Sequence, residues 1–396
     1  MRLLIVSHVA HFRSGGRLYA YGPYAREIDM WADLFAEVSI AAPCRQGAVP
    51  DDCLAFTRDN ISIVPQLETG GERITARLIQ LLLLPVHLWK LSFAMLKADA
   101  IHIRCPGNLG LLGVLLAPLF SRYLVAKYAG QWNRFDDEPL TWRLQKGLLR
   151  SRWWQGPVTV YGHWPNQPKQ IIPFFTSIMT NDQVAHARAA AANKKTNQPL
   201  KLLFVGRLSK EKNVDVILDA IGRLKEDGIA MEATIVGDGP QFEVLQNKAS
   251  SLGLGKYVTF AGAMSFDQVL DFYSASDVLV LVSKTEGWPK TVVEAMAFGL
   301  ICVGINQGAL PDILGEGRGI LVSEKDPDSL ADVLRSIAAE PQKLQLMRAE
   351  ASAWAQKFSL EGLRDALKAL LTERWGVSFG AVPADATHQR SFDLSA

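Results

Sequence analysis

Short, wholly apolar runs alternate with amphipathic helical stretches along this chain, and the alternation occurs in two successive series. In the first, Leu3–Ser7, Val38–Ala41, Ile61–Val64, Ala100–Ile103, Tyr123–Lys127 and Val158–Tyr161 read as strands, with helices such as Tyr24–Phe35 and Leu109–Phe120 between them. In the second, the strands are Lys201–Val205, Glu232–Val236, Tyr257–Ala261, Val278–Val282, Ile301–Val303 and Gly319–Val322. The helices there are Val214–Glu226, Gln241–Leu252, Phe266–Ser274, Lys290–Phe298 and Ser329–Ala339. Strands apolar along their whole length must be covered on both faces, which a parallel sheet with crossover helices provides. At 396 residues the chain exceeds one ordinary core. The pattern predicts an α/β protein of two domains, residues 1–182 and 200–358. Residues 183–199, small, polar and lysine-containing, read as a linker. An amphipathic stretch at 359–376 reads as a final helix, and 377–396 as a loose tail.

Composition excludes several classes. With 48% apolar and 21% charged residues the chain is globular, not disordered. A net charge of +2 excludes a strong general attraction to nucleic acid. The charge is uneven: residues 1–180 hold 19 Lys/Arg against 13 Asp/Glu, or +6, which leaves 2 − 6 = −4 for the rest. The first half is therefore expected to meet something anionic. Cys44, Cys53, Cys105 and Cys302 form no C-x-x-C pair and have no His cluster, so neither a metal site nor a disulfide scaffold is expected. Met1–Val6 runs directly into a strand pattern without signal-peptide logic, which predicts a cytoplasmic protein. Gln80–Leu96 is apolar but interrupted by Pro85, His87 and Lys90, and Cys105–Ser121 is only about 17 residues long, so neither is expected to span a membrane.

The chemistry concentrates in the second half. Strand Val278–Val282 runs into Thr285-Glu286-Gly287-Trp288-Pro289-Lys290-Thr291-Val292-Val293-Glu294-Ala295-Met296-Ala297-Phe298-Gly299. Pro289 suits a helix start and Gly299 its end. Two carboxylates follow, spaced 294 − 286 = 8. A carboxylate accepts two hydrogen bonds and grips a diol. Upstream, Phe204-Val205-Gly206-Arg207-Leu208-Ser209-Lys210-Glu211-Lys212-Asn213 joins a strand to a helix and carries three cations, Arg207, Lys210 and Lys212. Taken alone it is equally an exposed basic turn. Ile235-Val236-Gly237-Asp238-Gly239-Pro240 is a strand ending in a glycine turn; it lacks the G-x-G-x-x-G spacing of dinucleotide sites.

Together these segments resemble the E-x7-E motif and phosphate loop of retaining GT-B glycosyltransferases, close to glycosyltransferase family 4. The resemblance covers about residues 200–340 and implies two Rossmann-like domains facing across a cleft. It further implies that Glu286 meets the donor sugar, Glu294 the ribose, and Arg207 and Lys212 the diphosphate. Gly206, Gly237, Asp238, Gly287, Trp288, Pro289 and Lys290 complete the implied donor site. Free N–H groups after Pro289 favour the diphosphate's charge. Fixed cations on the departing diphosphate make a metal dispensable, so no metal or other cofactor is expected.

The first half follows the family more loosely. Gly15 and Gly16, in His11-Phe12-Arg13-Ser14-Gly15-Gly16-Arg17, match a Gly-Gly loop that lines the donor cleft in the family, and equally read as a plain flexible loop. Relatives often show H-x-H where this chain has His102-Ile103-Arg104. Arg104 stands in the place of the second, catalytic His, where it is a candidate to bind an acidic acceptor or the donor's charge instead; His102 is either a catalytic candidate or a hydrogen-bonded strand-end residue. His163 is a further candidate. In Trp142–Trp154, Arg143, Lys146 and Arg150 recur at helical spacing among leucines and tryptophans, which suits a helix lying on an anionic membrane or a solvated outer helix.

The implied activity is retaining transfer of a sugar from a UDP- or GDP-sugar to a hydroxyl of a glycan or lipid-linked acceptor, in surface polysaccharide or exopolysaccharide synthesis. A GT-B sugar-nucleotide epimerase and an inactive nucleotide-sugar-binding partner are the alternatives.

Overall fold

The computed structural model describes residues 1–68, 74–136, 138–195, 199–323 and 325–379, with the side chains of 74–81 and 341 excepted. The tail expected at 377–396 therefore lies mostly outside the described residues. Two compact units emerge: Met1–Ile178 with the segment from Leu360 onward, and Met179–Ser359.

The first unit begins with β1 (Arg2–Val6), β2 (His11–Ser14) and β3 (Arg17–Tyr21), then α1 (Gly22–Ala32) and β4 (Glu37–Gln46). It continues through β5 (Cys53–Ala55), β6 (Ile61–Gln66), α2 (Ile74–Met95), β7 (Ala100–Cys105) and α3 (Asn108–Leu116). β8 (Tyr123–Tyr128), α4 (Leu140–Arg150), β9 (Val158–Val160) and β10 (Ile171–Pro173) follow. The main sheet runs β10-β9-β8-β7-β1-β4, with β6 beside β4, and those pairings are parallel. Strand order thus reverses between β1 and β7. The hairpin β2–β3 and the short β5 extend this sheet from the end of β4. Gly15 and Gly16, at φ 54° and 76°, form its two-residue turn. A tight hairpin of this kind requires φ > 0 at both central residues, which accounts for the glycine pair without a ligand.

The second unit opens with α5 (Asn181–Ala192), β11 (Leu200–Val205), α6 (Val214–Glu226), β12 (Met231–Val236), α7 (Phe242–Ser251) and β13 (Val258–Gly262). It continues with α8 (Phe266–Ala275), β14 (Val278–Leu281), α9 (Lys290–Ala297), β15 (Ile301–Ile305), α10 (Leu310–Leu314), β16 (Ile320–Val322), α11 (Pro327–Ala339) and α12 (Gln345–Ala355). The parallel sheet runs β13-β12-β11-β14-β15-β16, the order of a dinucleotide-type doubly wound fold, with its reversal between β11 and β14. Much of the stretch read as a linker is α5: Thr180 and Gln183 close a capping box, and Val184 and Ala187 are buried. Gly299 permits this helix's approach, since a Cβ there would lie 3.1 Å from Ala191 Cβ. Finally α13 (Leu360–Trp375) returns the chain to the first unit, where Trp375 Nε1–H donates to Leu124 O (3.1 Å) and its ring meets Phe35.

The expected basic-aromatic face on α4 divides. Lys146 points inward to Glu138 and Asn133 O, and Gln145 is fully buried, while Leu140 (77%) and Leu144 (52%) are the exposed apolar residues.

Candidate active site

In open α/β sheets, ligands sit at the C-terminal ends of strands where strand order reverses. In the second unit that place lies between β11 and β14, and the two loops that leave there carry the motif residues. The loop after β11 bears Lys212; the loop after β14 bears Glu286. Lys212 Nζ donates to Glu286 Oε1 at 2.6 Å, across 74 residues of sequence. Both side chains are partly shielded, 25% and 12% exposed.

Backbone contacts hold the two loops together. Asn213 adopts a left-handed conformation (φ 49°) and its Nδ2–H donates to Val282 O at 2.6 Å. The amide of Lys284 donates to Glu211 O at 2.7 Å. On the other side, Gly237 N–H donates to Gly262 O, and Leu208 N–H to Asp238 O. A Cβ on Gly237 would stand 1.9 Å from Gly206 O, so glycine is required where the loops after β11 and β12 meet. Gly308 plays the same part under the acidic loop: at φ +61° its absent Cβ would lie 2.2 Å from Glu286 O.

Glu294 lies within α9 and is buried at 4% exposure. The hydroxyl of Tyr273, on α8, donates to Glu294 Oε2 at 2.8 Å. Burial raises Tyr273 well above the ordinary phenol range, with the adjacent carboxylate adding to it, so this group remains a donor. Tyr273 carried no motif signal in the sequence. Arg207 is exposed and its side chain makes no hydrogen bond or ion pair among the described residues, which leaves its guanidinium open to an anion. Lys290 begins α9, with Pro289 at the cap position preceding it. Trp288 is 7% exposed and packs against Trp354 and Phe358, which anchors the loop in the core. Gly287 lies between that anchor and Glu286. Asp238 is exposed, and its Oδ1 accepts from Gly239 N–H.

In the first unit His102 is fully buried, its ring stacked on Trp31 at 4.3 Å between centroids, and neither ring nitrogen has a hydrogen-bond partner. Burial pulls its pKa down to about 3, so it is a neutral core residue. Arg104, two residues on and on the same strand face, donates through Nη1 to Glu27 Oε1 at 2.9 Å. Lys127 Nζ lies 2.8 Å from the same oxygen. Trp31 and Glu27 are four residues apart on α1, a rise of about 6 Å, matching the strand spacing from His102 to Arg104. His163 is exposed after β9. Among the described residues no group of His, Cys, Asp and Glu is arranged to hold a metal.

Residues 187–354 match the family described as glycosyl transferases group 1, a span that lies within the second unit and begins inside α5. A D-inositol 3-phosphate glycosyltransferase of Rhodococcus jostii is 33% identical over 191 residues, covering 46% of this chain and 42% of the relative. The Arabidopsis thaliana sulfoquinovosyl transferase SQD2 is 28% identical over 175 residues, 43% of this chain and 32% of its own length. The chain thus spans less than half the length of the curated relatives it matches. Solved structures are similar along nearly the whole chain. A sucrose-phosphate synthase from Thermosynechococcus elongatus matches with a TM-score of 0.71 at 19% identity, covering 95% of this chain and 99% of that one. Anabaena Alr3699/HepE, solved in complex with UDP, matches with a TM-score of 0.66 at 16% identity, covering 94% and 100%. The fold is GT-B.

Proposed function

We propose, for a GT-B chain whose residues 187–354 match the group 1 glycosyltransferases, that it transfers a sugar from a nucleotide diphosphate sugar to an acceptor hydroxyl with retention of configuration. The observation that carries this reading is the Lys212–Glu286 pair at the strand-order reversal of the second unit, with the Tyr273-held Glu294 on the following helix. In the unliganded protein the two groups neutralise each other. With a donor bound, Lys212 and Arg207 turn to the diphosphate and Glu286 accepts from the sugar hydroxyls. Glu294 accepts from the ribose diol. Negative charge grows on the diphosphate as the glycosidic bond breaks, and fixed cations stabilise it there. No side chain reads as a covalent nucleophile, so the acceptor attacks from the face the diphosphate leaves and gives its proton to the departing phosphate. The family likeness and the UDP complex of a structural neighbour support a UDP- or GDP-sugar as donor.

A glycan or lipid-linked acceptor, as in surface polysaccharide synthesis, fits the first unit's surface. Leu82, Val86, Trp89, Phe93 and Leu96 recur every three or four residues along and just beyond α2, all exposed, from 38% to 77%. Lys90 and Lys97 accompany them, and no Asp or Glu occurs between residues 74 and 98. Such a face suits peripheral contact with an anionic membrane; no helix among the described residues is long and apolar enough to cross one.

Two measurements test the reading. In a thermal-shift panel of nucleotides and nucleotide sugars, a UDP- or GDP-compound should raise the melting temperature of the wild type. Lys212→Ala and Glu294→Ala should abolish both that shift and sugar transfer while staying folded by circular dichroism. Full transfer in both variants refutes the site. Donor conversion that needs no acceptor would identify an epimerase, and donor binding without turnover on any acceptor an inactive binding partner.

A further inference from the structure

The first unit has a strand-order reversal of its own, between β1 and β7, and a charge imbalance beside it. Arg104 and Lys127 are register partners on adjacent parallel strands, so two cations stand side by side. They share one carboxylate, Glu27, through the same oxygen. Their side chains are 12% and 6% exposed and that of Glu27 is 4% exposed. The other titratable groups around them are neutral. Tyr24, beneath the Arg104 guanidinium at 5.1 Å, is pushed up to about 12 by burial. The Tyr161 ring lies under Lys127 at 5.5 Å. His102 is uncharged as described, and His8, on the loop after β1, is lowered by burial and by Arg104. Among the described residues no carboxylate other than Glu27 acts on either cation. The cluster therefore carries one buried positive charge in excess.

A structural role alone does not explain this. Glu27 needs one counter-ion, and a second buried cation costs desolvation and repulsion without return. Donors also remain unused. Of the five guanidinium N–H groups on Arg104, one hydrogen bond is accounted for; of the three on Lys127, one. These donors sit at the sheet edge where α/β folds take their ligands.

We propose that Arg104 and Lys127, oriented by Glu27, form a recognition site for an oxyanion — a carboxylate or phosphate — carried by the acceptor. This rests on the glycosyltransferase reading and specifies the acceptor's class: an acidic sugar or a phosphorylated one. The planar fork of Arg104 takes two oxygens and Lys127 a third contact, with Glu27 holding both cations in place in the free protein.

The test uses the full chain in phosphate-free, low-salt buffer and follows the melting temperature with glucuronate, glucose 6-phosphate, inorganic phosphate and glucose. At about ten times its dissociation constant, a bound anion raises the melting temperature by roughly 3–6 °C, and glucose does not. A response to glucuronate alone points to a uronic acid and a response to the phosphates alone to a phosphorylated acceptor. Lys127→Met leaves a neutral Glu27–Arg104 pair. Its free form should melt no lower than wild type, while a tenfold weaker affinity cuts the anion shift to about 1 °C. Lys127→Arg should restore the shift. The inference is overturned if no anion exceeds the glucose control, if Lys127→Met keeps the full anion shift, or if that variant melts well below wild type, as a purely structural cation would require. A nucleotide shift that persists while the anion shift is absent removes only this inference; loss of the nucleotide shift removes the parent reading.

Discussion

Tyr273→Phe deletes one oxygen atom and isolates the support beneath Glu294. The hydroxyl is fully buried and bonds the carboxylate at 2.8 Å, and Phe retains the ring that packs against Phe298. A hydrogen bond to a buried charged group contributes about 1.5–3 kcal/mol. For a domain of this size that corresponds to a melting decrease of roughly 3–10 °C. The effect on binding is separate. Glu294 can grip a ribose diol only if its oxygens are held in place, so losing its donor should weaken nucleotide binding about tenfold, or about 1.4 kcal/mol. The assay is calorimetric titration of the best nucleotide from the thermal-shift panel into wild type, Tyr273→Phe and Glu294→Gln, together with the three melting curves. Because Tyr273 stays protonated far above neutrality, the wild-type to Phe difference should be constant from pH 6 to 9. A lower melting temperature with unchanged affinity would make Tyr273 purely structural. Unchanged affinity in both variants would refute the placing of the ribose at Glu294.

Gly308→Ala puts a methyl group into the carbonyl of Glu286 from a left-handed backbone, so it should cost about 1–3 kcal/mol and weaken nucleotide binding, read by the same titration. Glu27→Gln strips both buried cations of their counter-ion and should destabilise the first unit by about 3–5 kcal/mol; Glu27→Gln combined with Lys127→Met should recover much of that in urea denaturation. Burial holds His102 at about 3 and His11 at about 4, below the ordinary 6.5. The native state then binds fewer protons than the unfolded chain, so stability falls as the pH drops below about 6.5, by up to about 1.4 kcal/mol per unit for each histidine. His102→Leu should reduce the loss between pH 7 and 5 by about 2 kcal/mol in denaturant titrations. Trp89→Ser with Phe93→Ser should lower co-sedimentation with anionic vesicles and leave nucleotide binding unchanged; undiminished co-sedimentation would exclude the α2 face.

The motif segments of the second half were legible because their logic is local. A buried strand, a loop and a helix occupy one continuous stretch from Val278 to Gly299, and apolar periodicity reports which side faces a core. The α/β class and the twofold division follow from the same signal. Periodicity is silent on where an inward polar side chain finds its partner. Lys146, spaced for an outer face, turns in to Glu138. Trp288, within the motif, packs against Trp354 and Phe358 from a distant helix and the turn after it. Tyr273 meets Glu294 from another helix, and Arg104 meets Glu27 across 77 residues. The departure from H-x-H is visible as letters, but its sense, a cation paired beneath α1 beside a buried neutral His102, exists only once that helix lies on the sheet. Which segments become strands, helices and strand-end loops could be read from the letters alone, because those depend on neighbours along the chain. Which charges share a carboxylate and which rings are core emerged with the packed fold, because burial of a polar group is settled by partners brought from far away in sequence.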